Sequence, residues 1–243
     1  MRRAPSRIWR PVAFGLAVLL ASAACSLGSS PAGPGRPNGG LSDRAAASPV
    51  PSRSPIPPPP GSVRVTIVTE QTAARYRAQA VIIGRSFPTE IIGETRDVSG
   101  SLVIRPDGNI APDQSRIVVN LQSLASNDPR IDDYVKANTL QTDQFPEVIF
   151  APRIANGIKS PLPTEGPVNF QLGGDLTIRG VSHPMSWIVT GDVNGDVVQG
   201  SARAVVSFDD FSLPLPVAPN VVSVDKRLTL EIAFDATKSA FGE

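Results

Sequence analysis

From Ser62 onward, apolar and polar residues alternate with a period of two. Val63, Val65 and Ile67 fall on one face, and Arg64 and Thr66 on the other. Successive side chains of an extended chain point to opposite faces, so this spacing predicts a strand with one side buried. Similar short runs rich in Val and Ile occupy residues 75–83, 90–98, 100–105, 116–121, 147–155, 168–178, 184–193, 197–208 and 221–234. Turn-forming clusters such as Pro106-Asp107-Gly108-Asn109 and Asn194-Gly195-Asp196 separate them. Many strands at this spacing predict an all-β sandwich or barrel. One stretch breaks the alternation. Residues 128–144 open on Asn127-Asp128-Pro129, an N-cap followed by a first-turn proline, and Ile131, Tyr134, Val135 and Asn138 share a helical face. A short helix ending before Phe145-Pro146 is expected there. No internal repeat is evident.

The first 61 residues follow neither pattern. Ten of the chain's 25 prolines lie between Ser26 and Gly61, a segment without a single aromatic residue. It cannot build a core and is expected to be a disordered tether, with Pro55 to Pro60 as a stiff polyproline segment. Arg2, Arg3, Arg7 and Arg10 precede thirteen apolar or small residues, 12–24. That run is too short for a spanning helix of roughly 20 residues, but has the length of a signal-peptide core. Ser22-Ala23-Ala24-Cys25 resembles a bacterial lipobox, in which Cys25 is acylated and anchors the exported protein to a membrane at the cell envelope. Ala21-Ser22-Ala23 also meets the rule for ordinary cleavage, which would leave a secreted chain with a free thiol at Cys25. Lipidation is the favoured reading. The expected organisation is therefore a signal peptide (1–24), a lipidated Cys25 with its linker (25–61), one β domain (62–237) and a tail (238–243).

Composition narrows the function. The net charge is +1, and the basic surplus sits in the first ten residues, so nothing points to nucleic acid. A single cysteine excludes an intrachain disulfide and any multi-cysteine metal site. A folded part of about 170 residues buries roughly 70% of its unfolded-chain surface, enough for a core without disulfides. His183, the one histidine, precedes Pro184 and is expected in a turn at a rim. The acidic pairs Asp132-Asp133 and Asp209-Asp210 lack the loop glycine and ligand spacing of a calcium site, and read as solvated faces. No metal or cofactor is expected. There is no Gly-x-Ser-x-Gly elbow and no phosphate-binding glycine loop, so the chain is not expected to be an enzyme.

Three segments then carry a resemblance. Residues 115–124 read SRIVVNLQSL, and 128–150 place Arg130, Asp132, Asn138, Leu140, Phe145-Pro146 and Phe150 in order. Residues 174–184 read GDLTIRGVSHP, and a weaker fourth piece is FDDF at 208–211. Together these resemble the YceI-like family of lipid- and polyisoprenoid-binding proteins over residues 63 to 236. The resemblance implies a single antiparallel, lipocalin-like β-barrel whose interior holds an isoprenoid or similar apolar lipid, and related barrels often pair as homodimers. Phe87, Tyr134, Phe145, Phe150, Trp187, Phe208 and Phe211 are the candidate cavity residues, although ordinary core packing explains each of them as well. A barrel with a filled interior that docks an envelope partner is the alternative. The two differ in whether the interior is open.

Overall fold

The computed structural model describes residues 57–218 and 220–241. They form strands β1 (Val63–Ile67), β2 (Ala73–Ile82), β3 (Thr89–Thr95), β4 (Val98–Ile104), β5 (Arg116–Asn120) and β6 (Ala125–Ser126). A short helix, α1 (Pro129–Tyr134), runs on into a π-helical turn (Val135–Leu140). Strands β7 (Glu147–Asn156), β8 (Glu165–Ile178), β9 (Val181–Asn194), β10 (Val197–Ser207) and β11 (Val221–Ala240) complete the chain. The pairings between these strands are antiparallel.

Three pairs of consecutive strands behave as single, kinked strands. β1 and β2, separated by the turn Thr69–Gln71, lie end to end along one edge of β11: Val63 to Ile67 face Ala240 to Ala236, and Ala73 faces Ala233. β3 and β4 break only at Arg96-Asp97, and β5 and β6 only at residues 121–124. Their pairings match, with β1 on β4 and β4 on β5 at one end, and β2 on β3 and β3 on β6 at the other. Joined in this way, the sheet is an eight-stranded up-and-down barrel in which each strand borders its sequence neighbour and β11 closes onto β1 and β2. Closure satisfies both edges of the sheet.

Local sequence explains these elements. In β8, Leu172, Leu176 and Ile178 are buried at alternate positions, and in β9 Trp187, Val189 and Val193 follow the same period. Arg179 and Gly180 connect the two strands with φ of +49° and +75°, the doubly left-handed pattern whose twist suits a tight hairpin. Beyond β6 the wall loses its strand partner, and α1 packs there through Ile131 against Ala80, Ile91 and Ala218.

Three expectations are corrected. His183 is not in a turn: the hairpin closes at Arg179-Gly180, so His183 lies within β9 opposite Leu176, with its ring edge-on to Phe211 at 5.9 Å. Asp132 is not a solvated acid. It is 9% exposed and accepts the Ser126 backbone N–H at 2.8 Å, tying α1 to β6. The barrel does not stop at residue 237 either, because β1 needs a partner over its whole length and β11 supplies one through Ala240. The expected signal peptide, Cys25 and most of the tether lie outside the described residues. Among the described residues no helix is long and apolar enough to cross a membrane, and no cluster of His, Cys, Asp or Glu is placed to hold a metal.

Candidate functional site

The alternation that buries one face of every strand leaves the barrel axis apolar but not filled. At the helix end, β2 points Ala74, Ala78 and Ala80 inward, where larger residues would close the space. A chamber of about 160 Å³ results, walled by these alanines, by Ile131 and Leu140 from the helical segment, and by Leu176 and Phe208 from the barrel. A second chamber of about 110 Å³ lies toward β1, lined by Leu102, Ile104, Phe170, Val189 and Phe234. Ile117, Phe150, Trp187 and Ile232 line both, forming a neck between them.

Phe150 and Trp187 meet there edge to face, with ring centroids 5.9 Å apart. Gly174 lies under the Phe150 ring: a Cβ there would run into the Ala151 carbonyl oxygen of β7 and would also stand 2.9 Å from Phe150 Cζ, so the close approach of backbone and ring requires glycine. Tyr76 and Gly93 repeat the device. They are direct cross-strand partners, and a Cβ on Gly93 would run into the edge of the Tyr76 ring at Cε1.

The walls carry few polar atoms, and some have no partner. Thr139 Oγ1 and Trp187 Nε1 are buried without any hydrogen bond. A buried donor left unpaired costs roughly 1–3 kcal/mol. Burial pushes the Tyr76 phenol up to about 12, with the Asp132 carboxylate adding to the shift. The floor of the helical segment is fixed from the β8–β9 hairpin: Arg179 Nε donates to Gln141 Oε1 at 2.9 Å and Nη1 reaches the Thr139 carbonyl at 3.5 Å.

Of the seven aromatic candidates, Phe150, Trp187, Phe208 and Phe211 line the helix-end chamber. Tyr134, the last residue of α1, packs against the cluster of Ala80, Ile91, Ile131 and Ala218 and is not among the chamber-lining residues, and Phe145 covers Gly180 at the hairpin tip. Phe87 is corrected outright. It is 79% exposed in the β2–β3 loop, because the loop carries it past the end of the barrel. Sequence reasoning overlooked the small residues. The Ala74, Ala78 and Ala80 alternation in β2 was a legible signal, since a buried strand face of alanines leaves room. Thr139 and Tyr76 gave no such signal.

Residues 66–236 match the model of the YceI-like domain. The chain belongs to the YceI-like family. Among solved structures, this YceI-like protein is similar to a polyisoprenoid-binding domain from Saccharophagus degradans implicated in plant cell wall breakdown. The two share 9% identity and a TM-score of 0.54, over 73% of this chain and 98% of that one. It is also similar to BcnA of Burkholderia cenocepacia, at 13% identity and a TM-score of 0.51, over 72% of this chain and 99% of that one. At such identities the likeness establishes the shared barrel. No curated protein matches the YceI-like chain.

Proposed function

We propose that this YceI-like protein carries one long, apolar lipid of the polyisoprenoid class along its barrel axis, and does so at the cell envelope, held to a membrane through an acylated Cys25. The observation that carries the reading is the pair of apolar chambers joined at the Phe150–Trp187 neck. A flexible chain that threads both would gain about 0.8 kcal/mol per buried methylene, so affinity needs little polar chemistry. The polyisoprenoid-binding domain of the same fold from Saccharophagus degradans supports the ligand class. The open interior disfavours the filled docking barrel. Binding alone, with no catalytic step, accounts for such an interior.

The test is native mass spectrometry of chain 26–243 purified from a bacterial membrane extract, before and after organic extraction. An extractable mass that fragments as an isoprenoid or fatty chain is the expected result. A bare protein that also refuses added polyprenyl lipid would sink the reading. Metabolic labelling with a fatty acid checks the anchor, with label expected on the wild type and absent after Cys25→Ala.

A further inference from the structure

Nine large apolar residues are conspicuously exposed among the described residues, and five of them fall in one corner of the barrel: Val81 and Ile83 at the end of β2, Phe87 in the following loop, and Val217 and Val222 around the start of β11. The two segments are neighbours. Ile82 pairs with Val221, and the Ile83 N–H donates to the Asn220 carbonyl at 2.9 Å. Val222 is the extra residue of a bulge between Val221 and Ser223, which keeps its side chain off the barrel interior and 64% exposed. The same segments also build the cavity: Ala80, Pro216, Ala218 and Val221 line the helix-end chamber. One strip of chain is therefore apolar on both sides, inward to the ligand space and outward to solvent. Arg85, at the loop tip between Ile83 and Phe87, is exposed.

We propose that this corner is a membrane-contacting rim, which seats Ile83, Phe87, Val217 and Val222 in the interfacial region of a lipid bilayer so that a lipid passes between bilayer and chamber without crossing water. The inference rests on the lipid-carrier reading. Apolar loop tips beside a cation are the composition that partitions into a headgroup boundary, and exposed apolar patches of this kind mark interaction surfaces. The length of chain before the barrel, with the proposed acyl anchor at Cys25, supports a bilayer as the occupant. The chain enters the barrel at the opposite pole, where the Gly61 N–H donates to the Phe241 carbonyl. Cys25 precedes Pro57 by 32 residues, which reach about 110 Å when fully extended. The 14-residue strands β8 and β9 rise only about 46 Å. The contour length between Cys25 and the barrel thus exceeds the length of the barrel wall.

The experiment is vesicle flotation of chain 26–243, which keeps every described residue and has no acyl group, with phosphatidylcholine vesicles containing a minor share of phosphatidylglycerol. The wild type is expected to float with the vesicles, and an Ile83→Asp/Phe87→Asp variant to bind at least about tenfold more weakly, the loss expected for two buried apolar side chains. Both positions are exposed, so circular dichroism should show the variant fully folded. An Ile188→Asp control, on the 60%-exposed outer wall of β9, should float like the wild type. Failure of the wild type to bind vesicles, or equal binding by the rim variant, would overturn the proposal. A doubled solution mass that the rim variant restores to one chain would also overturn it, in favour of a second copy on this face. Retained lipid in the native spectrum together with no vesicle binding would defeat the rim alone. Loss of the lipid signal itself defeats the carrier reading.

Discussion

Arg179 and Gln141 hold each other from 38 positions apart, and both stand in left-handed backbone, at φ of +49° and +53°. Gln141 ends the π turn that roofs the helix-end chamber, while Arg179 opens the hairpin between β8 and β9. Two residues of otherwise unfavourable conformation are thus joined where the roof meets the wall. A hydrogen bond from a charged donor contributes roughly 1.5–3 kcal/mol. Arg179→Ala should loosen the roof and speed hydrogen exchange in residues 129–142 by at least about tenfold, with faster release of bound lipid. Arg179→Gly should show the same exchange but lose about 1 kcal/mol less global stability, because glycine accepts the left-handed backbone without strain. Equal protection in wild type and both variants would show that the roof does not depend on this latch.

Tyr76 predicts the alkaline limb of the stability curve. Its phenol ionises near 12 in the folded protein against 10.0 for an unperturbed tyrosine. The folded state keeps a proton that the unfolded chain releases, so stability is complete below pH 10 and falls as pH rises toward 12. The expected slope is about 1.4 kcal/mol per pH unit. Tyr76→Phe should flatten that limb between pH 10 and 12 in urea titrations. An unchanged slope in the variant would place the ionising group elsewhere.

Filling the chamber separates binding from stability. Ala78 is buried beside the empty space in β2. Ala78→Leu adds apolar volume where packing is incomplete, so the apo protein should stay within about 1 kcal/mol of wild type, in contrast with the 1–3 kcal/mol cost of overfilling a packed core. Uptake of a fluorescent polyprenyl probe should fall by tenfold or more. Undiminished uptake would mean that the ligand does not occupy the helix-end chamber.

Gly93 and Tyr76 should prove coupled. A Cβ at 93 runs into the Tyr76 ring, so Gly93→Ala alone should cost about 1–3 kcal/mol. In the Tyr76→Ala background that penalty should largely vanish, giving a double-mutant interaction energy above about 0.5 kcal/mol. Additive effects in denaturant titrations would show that the ring moves aside freely.

The period-two runs marked the strands because a sheet with one buried face must alternate, and the short helix showed itself where alternation stopped at Asp128. GDLTIRGVSHP carried the family, and of the aromatics singled out through that resemblance Phe150 and Trp187 lie on strands, whereas Phe208 and Phe211 are turned toward the chamber by the short 3-10 turn after β10. Phe87 was misplaced, because a loop has no period to say which way a side chain points. Asp132 and His183 were read from their neighbours in sequence, whereas their surroundings come from β6 and from Phe211, which are distant or turned aside in the linear pattern.

The sequence by itself determined the β class, the strand positions, the position of the helix and the family, since each follows from local periodicity or contiguous motif. Only the tertiary structure decided that six of the segments merge into three kinked strands, that β11 closes the barrel along β1 and β2, and that alanines and a neck at Phe150 and Trp187 leave the axis open. Those features depend on pairings across the whole chain and on side-chain volume summed over many strands. No local pattern holds that sum.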